Sequence, residues 1–545
     1  MVNTNDSIEK NMEEKCLISD PPEAFGSSKK KKKPKKKKTL ADLAPFYSDT
    51  MQRFPVQLKN TKANGRHAVA AEALDAGTTV CLEKATAFVV RSPYLDQQCH
   101  VCLGDLPAKM ACQDCRMVFY CSQACIEKDE ATHLKVCSLL AHAQSIGQST
   151  DVDPDLLRLI IMLVASRDDN DISKTPYWCV DDLMSHREKA EPSFVRVIST
   201  AANRLIAQDP DLMHDLTVED IVSLACRINS NAHGLGDNQS RNTDVALGLF
   251  PLGAMFFNHG CNPNTAFVGL DNGQLAFRTI RPVAKDEELV VSYIDLYDGR
   301  DDRRQILLTS KHFWCKCKRC QSNMQGSVDR FLQGVVCKAC QQDVYVVPPT
   351  LMDDLLKDRS NLTTALNEPN TTQWACAKCQ ATEPSAHIAR TLQECQQQYT
   401  QAITLVHERR QYTKAKQLLK PLVFDTRQLH ALHSLRLNAA IPLMNCCRYE
   451  KDLKGAVEVN QFILNFFEQQ AVQGGLPSQT SEVSDFWLNL GELYEALAAQ
   501  HRDRALLEKK YHKVAQHAYT QASKVRSIVF GPSHPKTKAI QALRS

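Results

Sequence analysis

Four closely spaced pairs of potential metal ligands constrain this chain more than any other feature of its sequence. Zinc prefers four thiolate or imidazole ligands in a tetrahedron, and a closely spaced pair lets one short turn supply two of them. Eight ligands within 39 residues make two closed sites, with no position left open for catalysis. We predict an interleaved pairing, with pairs one and three on one ion and pairs two and four on the other. The pairs are Cys99 and Cys102, Cys112 and Cys115, Cys121 and Cys125, and His133 and Cys137.

The compartment follows from the cysteine count and the N-terminus. The chain has 545 residues and 22 cysteines, and residues 1–6 are polar, without the apolar core of a secretory signal. Clustered thiols in a reducing compartment hold metal more often than they form disulfides. The longest apolar stretch, residues 156–165, contains Arg158 and is too short to span a membrane, so it predicts a buried helix. We expect a soluble intracellular protein of several packed units.

Residues 1–45 predict a disordered, lysine-rich arm. Nine lysines lie in the tract 29–38, more than the whole chain's net charge of +4, so the remainder is mildly acidic. Like charges at this density repel each other and bury no core. The arm is either a solvated tail without a specific role or a signal for nuclear import or phosphate attraction. We expect the protein in nucleus and cytoplasm.

Two further cysteine groups follow the first block. Cys315, Cys317 and Cys320 form a trio that needs a fourth ligand. The pairs at 337 and 340 and at 376 and 379 make a four-ligand, ribbon-like pattern with a gap of 35 residues. We predict zinc at both. The ligands of the second pattern are Cys337, Cys340, Cys376 and Cys379.

The secondary-structure signals alternate along the chain. Short β-prone runs with turn residues occupy about 54–91, residues 150–230 are mostly helical, and strand character returns between 248 and 293. From about residue 386 the chain is helical. There the spacing fits a degenerate tetratricopeptide repeat, with a generic helical bundle as the alternative. The residues in question are Trp487, Leu490, Gly491 and Tyr494, followed late by Ala515, Tyr519 and Ala522.

Four segments together resemble one known family. The ligand order of the first block, with Phe-Tyr-Cys-Ser at 119–122, resembles the MYND finger. Residues 258–264, Asn-His-Gly-Cys-Asn-Pro-Asn, look like the N-H-S-C-x-P-N motif of SET-domain methyltransferases. The segments 287–295 and 315–320 match the same family. The chain is therefore similar to SET-and-MYND protein lysine methyltransferases.

The resemblance implies an α+β fold, in which a β-rich SET core is split by the finger and a helical insert. In the family Cys261 joins the trio at 315–320 on one zinc. The expected units are the arm at 1–45, the SET N-terminal part at 50–98, the finger at 99–137, the helical insert at 138–230, the SET C-terminal part at 231–300, the post-SET zinc segment at 301–325, a possible zinc ribbon at 330–382 and the helical domain at 386–545.

The resemblance also implies an activity and its partners. The family transfers a methyl group from S-adenosylmethionine to a protein lysine, on a histone tail or another protein, and its zinc ions are structural. Its finger often binds peptides. No membrane partner is expected, and no direct nucleic-acid binding beyond the arm.

Site residues are carried over by position. Tyr293 matches the tyrosine whose hydroxyl points at the transferring methyl group, so it is expected to be catalytic and to contact the cofactor. The other expected cofactor-binding residues are Gly65, Arg66, Asn231, Asn258, His259 and Phe313.

Two positions depart from the family pattern. Where the family has the second glycine of a G-x-G turn, this chain has His67, whose Cβ is expected to restrict the backbone there. Where the family has a tyrosine lining the lysine channel, it has Lys311, a cation that would repel an ammonium unless it points outward.

Two other classes of function remain open at this point. A non-catalytic adaptor would use the finger and the helical tail to hold partners. A nucleic-acid-binding protein is disfavoured, because the finger lacks the two-histidine helix of a major-groove reader and the lysines lie outside it.

Overall fold

The computed structural model describes residues 51–167, 177–236, 244–349, 351 and 372–544. The predicted arm at 1–45 lies outside the described residues. Within them the fold is α+β, as predicted. None of the described helices is long and apolar enough to cross a membrane.

The β part consists of short strands in several small sheets, which leave many strand ends to carry functional groups. Strands β1 and β2 form a hairpin, β3 pairs with β11 and β11 with β10, and β8 lies between β4 and β7. The pair of β9 with β12 is parallel. The strands are β1 Val56–Thr61, β2 Gly65–Ala70, β3 Thr79–Lys84, β4 Ala87–Val90, β5 Met110–Ala111, β6 Phe119–Tyr120, β7 Ala232–Gly236, β8 Asp244–Leu249, β9 Asn258–His259, β10 Thr265–Leu270, β11 Gln274–Thr279, β12 Val290–Val291, β13 Tyr345–Val346, β14 Gln373–Cys376 and β15 Thr382–Pro384.

The helices fall into an insert between β6 and β7, short helices around the site, and a C-terminal array. They are α1 Gln123–Thr150, α2 Pro154–Ala165, α3 Tyr177–Val180, α4 Pro192–Gln208, α5 Val218–Asn231, α6 Pro251–Phe256, α7 Arg300–Lys311, α8 Lys318–Gln321, α9 Asp329–Leu332, α10 Ser385–His407, α11 Tyr412–Phe424, α12 Ser434–Tyr449, α13 Leu453–Gly474, α14 Ser481–Gln500, α15 Ala505–Val529 and α16 Pro535–Ala542.

The finger and the helical insert share one helix. Helix α1 carries the last three finger ligands and then continues past residue 137, where we had placed a boundary, to bury Leu139 and Leu140 in the main core. Helix α2 packs on it and is buried from residue 155 to residue 165, as its apolar run predicted. Its one buried cation, Arg158, is paired with Asp155 of the same helix. The finger is therefore joined to the core by a continuous helix.

The C-terminal helices α10 to α16 pack each on the next in chain order. Gly491 of α14 lies so close to the ring of Tyr519 that a Cβ there would stand 2.3 Å from a ring carbon. Ala515 and Ala522 of α15 are fully buried in the same contact. The residues of the two halves of the tetratricopeptide-like pattern thus pack against each other. This packing is compatible with a repeat array and with a generic helical bundle.

The helical tail docks directly beside the SET core. The hydroxyl of Tyr297 donates to the carbonyl oxygen of Pro477 at 3.0 Å, and its ring lies 4.7 Å from that of Phe467. Arg278 on β11 donates through Nε to the carbonyl oxygen of Ile528 at 3.0 Å. Tyr297 follows Tyr293 by four residues, so the tail contacts the segment that carries this residue.

Candidate functional site

All sixteen predicted metal ligands converge into four groups of four. Within each group the ligand atoms lie within 4.8 Å of one another. Measured sulfur–sulfur distances are 3.6 Å for Cys102 to Cys121 and 3.7 Å for Cys112 to Cys137, close to the edge of about 3.7 Å expected for a zinc–thiolate tetrahedron. The finger pairing interleaves as predicted. The groups are Cys99, Cys102, Cys121 and Cys125; Cys112, Cys115, His133 and Cys137; Cys261, Cys315, Cys317 and Cys320; and Cys337, Cys340, Cys376 and Cys379.

Each group supplies four soft or imidazole ligands and leaves no open position, so the zinc ions these groups fit are structural. The third group has a direct link to the candidate catalytic segment. Sγ of Cys261 lies 3.8 Å from that of Cys315 and 3.5 Å from that of Cys320. Nε2 of His259 lies 3.1 Å from the same Cys261 sulfur. A zinc there would fix the 258–264 loop against the post-SET segment.

A buried charge network surrounds this third group, and sequence reasoning missed it. Asp329 is fully buried and accepts from Arg300 Nε at 3.1 Å, from Arg303 Nη1 and Nη2 at 3.0 Å each, and from Arg319 Nε at 2.9 Å. Burial by itself would raise the pKa of Asp329, but the charges of Arg303 and Arg319 outweigh it and lower the pKa to about 2. The carboxylate is therefore ionised and ties three arginines together.

The arginines also reach the zinc group itself. Arg319 donates to the carbonyl oxygen of Cys261 at 2.7 Å, and Arg304 to those of Cys315 and Cys320 at 3.2 and 3.0 Å. Four thiolates on a zinc ion carry a net negative charge, which these cations offset. The available signal was the spacing of Arg300, Arg303 and Arg304, which puts three cations on one helix face where an apolar stripe is normal.

Tyr293 lies at the centre of the site. Its backbone N–H donates to Nδ1 of His259 at 3.2 Å, and its hydroxyl donates to the carbonyl oxygen of Phe257 at 2.8 Å. Burial, followed by the charge of Glu288, raises the pKa of Tyr293, so the hydroxyl is neutral at physiological pH. The parallel pairing of β9 and β12 brings the two segments together.

Asn258 connects this centre to the first hairpin. Its side-chain amide donates to the carbonyl oxygens of Asn64 and Arg66 at 3.2 Å each, and to Glu288 at 3.1 Å. Gly65 lies between those two residues with a φ of +63°, a conformation that favours glycine, and the space around its Cβ position is open. The structure thus brings Gly65, Arg66 and Asn258 to one edge of the site.

The remaining predicted cofactor-binding residues contact different parts of the structure. The ring of Phe313 is 6.1 Å from that of His259 and packs beside the third cysteine group. The guanidinium of Arg66 donates to the carbonyl oxygen of Asp182 at 2.8 Å. The amide of Asn231 donates to the carbonyl oxygens of Met184 and Arg227, at 2.8 Å each. Asn231 and Arg66 are therefore positioned by backbone groups of the helical insert.

The two departures from the family pattern behave differently from expectation. The expected backbone restriction at His67 is wrong, because His67 lies in strand β2 opposite Lys59 and only Gly65 of this hairpin has a positive φ. An ordinary side chain fits an extended strand, and His67 is buried with Nδ1 2.9 Å from the Gly65 carbonyl oxygen. Lys311 does not point outward: its ammonium lies 5.8 Å from the centroid of the Tyr293 ring.

Acidic residues crowd the junction between the site and the tail, and one of them predicts a pH effect. Burial, and then the charges of Asp295 and Asp302, raise the pKa of Asp298 to about 7. In the unfolded chain it titrates near 3.9, so between about pH 4 and pH 7 the folded state holds the extra proton and stability falls as the pH rises. Replacing Asp298 with Asn removes this loss. The melting temperature of the variant minus that of the parent should be about 2 °C more positive at pH 8 than at pH 6.

The control for that measurement is Asp503→Asn, since the Asp503 side chain is 71% exposed. Its melting temperature relative to the parent should be the same at both pH values. An equal difference for Asp298→Asn at pH 6 and pH 8 would show that its carboxyl does not titrate in this range.

Comparison with known proteins agrees with this geometry. A family model described as the SET domain matches residues 65–294. The Arabidopsis thaliana protein named histone-lysine N-methyltransferase ASHR1 is 25% identical over 291 residues, 52% of this chain and 58% of its own length. Mouse histone-lysine N-methyltransferase Smyd1 is 24% identical, over 50% of this chain and 57% of its own. The chain thus spans less than two thirds of these two relatives.

A longer alignment is found with the Xenopus laevis protein named N-lysine methyltransferase SMYD2-A. It is 21% identical over 481 residues, covering 87% of this chain and 95% of the relative. A crystal structure of the SET domain of LSMT bound to lysine and AdoHcy aligns with 93% of the chain at 12% identity, with a TM-score of 0.31.

The matched residues 65–294 include the parallel β9–β12 pair and Tyr293, so this part of the chain is a SET domain. The finger, with its two interleaved ligand groups, is inserted between β4 and the second half of the SET domain. This insertion is the arrangement that the resemblance to SET-and-MYND proteins implies. The chain therefore contains a SET domain and is similar to SET-and-MYND proteins.

Proposed function

We propose that this chain is a protein lysine N-methyltransferase that uses S-adenosylmethionine and acts on histone or non-histone proteins. The observation that carries the proposal is the meeting of Tyr293 with Asn258 and His259, held by the β9–β12 pair and by the Cys261 group. The names of the relatives, histone-lysine or N-lysine methyltransferases, support the same activity.

The residues present fit the cofactor. The turn at Gly65 leaves open space for close approach, Phe313 offers an aromatic face, and Asn258 and His259 provide side-chain and backbone hydrogen-bonding groups. These residues, with Arg66 and Asn231, would hold the cofactor, which supplies an electrophilic methyl group on a sulfonium. The neutral hydroxyl of Tyr293, which donates to the carbonyl oxygen of Phe257, is the group we expect to face the transferring methyl group.

The acceptor must present a lone pair, so a lysine must lose its proton before it reacts. With a free pKa near 10.4, deprotonation near pH 7.4 costs about 4 kcal/mol. Burial lowers this cost by disfavouring the cation. The tail lies against this part of the site through Tyr297, which supports a role in excluding water from the acceptor. The remaining work is alignment of nitrogen, methyl carbon and sulfur.

We also propose a protein partner for the finger and a nuclear as well as cytoplasmic location. Leu134, on the helix that carries the finger ligand His133, is 75% exposed and is an apolar contact available to a peptide. The lysine tract at 29–38 supports access to the nucleus.

The proposal is tested with zinc-loaded full-length protein. Calorimetric titration with S-adenosylmethionine should show micromolar binding, and incubation with methyl-labelled cofactor and a mixture of histones and cell proteins should label lysine side chains, identified by mass spectrometry. Binding without transfer to any protein would favour an adaptor. If protein with verified fold and zinc content does not bind S-adenosylmethionine, the proposed enzymatic function is overturned.

A further inference from the structure

Lys311 directs a positive charge toward Tyr293 in the site. It is the last residue of α7, and its ammonium donates to the carbonyl oxygen of Ser230 at 2.9 Å. The same ammonium faces the ring of Tyr293, with 5.8 Å between Nζ and the ring centroid. Among the described residues, no Asp or Glu forms an ion pair with Lys311.

A partly buried ammonium without an ion-pair partner is costly, and partial burial lowers the pKa of Lys311. Three features favour the charged form: the Ser230 carbonyl oxygen, the face of the aromatic ring and the C-terminal end of a helix. Capping the end of α7 does not by itself explain the burial, because Lys189 already donates to the carbonyl oxygen of His312 at 3.0 Å from an exposed position. The inward direction of Lys311 thus calls for a function at the site.

The titratable groups that face Lys311 provide no counter-charge. His233 on β7 is half-buried, and desolvation followed by the charge of Lys311 lowers its pKa to about 4, so it is neutral. Burial and neighbouring cations lower the pKa of His186 as well. Tyr293 is neutral, as described above. The carboxylate whose charge acts on Tyr293 is Glu288, which accepts from Asn258 at 3.1 Å and forms no ion pair with Lys311 among the described residues. The charge of Lys311 thus acts on the reacting centre alongside that of Glu288.

We propose that Lys311 is a specificity-determining residue, which disfavours a second cation at the methyl-transfer centre and so admits the acceptor lysine as the neutral amine. This inference rests on the proposed function and deepens it. In the reaction, the acceptor first releases a proton to solvent, its lone pair forms the N–CH3 bond, and the S–CH3 bond breaks with its electron pair returning to sulfur. Positive charge moves from sulfur to nitrogen, and only an amine without its proton reacts.

The positive charge of Lys311 should also affect ligand binding in a way that does not depend on methyl transfer. S-adenosylmethionine carries a sulfonium cation, whereas S-adenosylhomocysteine has a neutral thioether. Lys311 should weaken binding of the cation relative to the neutral product. With partial screening, the charge of one ammonium in the same site is expected to change such a ratio about fivefold.

The test compares Lys311→Met, Lys311→Arg and the parent, with Lys189→Met as the matched control that loses a lysine-to-carbonyl bond outside the site. Calorimetry gives the dissociation constants of both ligands for each protein. We expect the preference for S-adenosylmethionine over S-adenosylhomocysteine to rise about fivefold in Lys311→Met and to stay at the parental value in Lys311→Arg and Lys189→Met. With a lysine peptide, the acidic limb of kcat should move up by about one pH unit in Lys311→Met only.

The possible results distinguish a failure of this inference about Lys311 from a failure of the proposed methyltransferase function. If both ligands bind all four proteins with the same ratio, Lys311 exerts no charge effect and the inference is overturned while the methyltransferase stands. If neither ligand binds the folded parent, the proposed function and this inference fail together. Melting temperatures of the variants show whether a changed ratio reflects the site or a loss of folding.

Discussion

Replacing Tyr293 with phenylalanine is expected to lower methyl transfer by at least about a hundredfold and to change the affinity for S-adenosylmethionine by less than about threefold. The change removes one hydroxyl, which now donates to the carbonyl oxygen of Phe257. Loss of a single preorganised polar group at a reacting centre typically costs about 10²- to 10³-fold in kcat. Rates come from labelled-methyl transfer and affinities from calorimetry.

The control for this experiment is Tyr345→Phe, at another buried tyrosine hydroxyl. That hydroxyl accepts from the backbone N–H of Lys338 at 3.0 Å, in the ribbon segment and outside the site. Its loss should affect stability and leave the transfer rate close to that of the parent. Equal transfer rates for Tyr293→Phe and the parent would show that the Tyr293 hydroxyl has no catalytic role.

Asp329→Asn is expected to destabilise the protein by about 3–5 kcal/mol and to release the zinc held by Cys261. The substitution leaves three buried arginines around a neutral amide, and removal of one partner of a buried ionic group carries a cost of this size. Zinc content should fall by one ion per chain, from the four that the ligand groups of the described residues would hold to three. Elemental analysis after dialysis gives the zinc count, and thermal melting gives the stability.

The comparison variant is Asp215→Asn, which removes a carboxylate paired with Arg167 at 2.8 Å but 59% exposed. An exposed pair contributes less than about 1 kcal/mol, so this variant should keep four zinc ions and nearly the parental melting temperature. A full zinc complement and parental stability in Asp329→Asn would show that the arginines do not depend on their shared carboxylate.

The metal groups were predictable because zinc chemistry fixes ligand type and spacing locally. The pairs in the first block and at 337–379 needed only the rule that one turn supplies two ligands. The buried helix Pro154–Ala165 followed from the apolar run at 156–165, and the α+β class was implied by the family resemblance. Assigning Cys261 to the trio at 315–320 required the family resemblance, since the residues lie 54 and more positions apart.

What escaped prediction depends on contacts between distant segments. The sequence shows Arg300, Arg303 and Arg304 as charges on a helix, but not the carboxylate of Asp329 that makes their burial possible. The direction of Lys311 is set by the carbonyl oxygen of Ser230, 81 positions away. His67 was misjudged because one-residue register decides whether a position lies in a turn or in the following strand.

The spacing of the ligands along the chain also sets an order of assembly during synthesis. The eight finger ligands leave the ribosome within 39 residues of one another, whereas Cys261 waits for partners 54 to 59 residues later. At about 5–20 residues per second, Cys261 is an unmetallated thiol for about 3–12 s, while the finger already has every ligand it needs. Zinc shortage or oxidation in the cell should therefore damage newly made chains at this cysteine first, and mature chains much less.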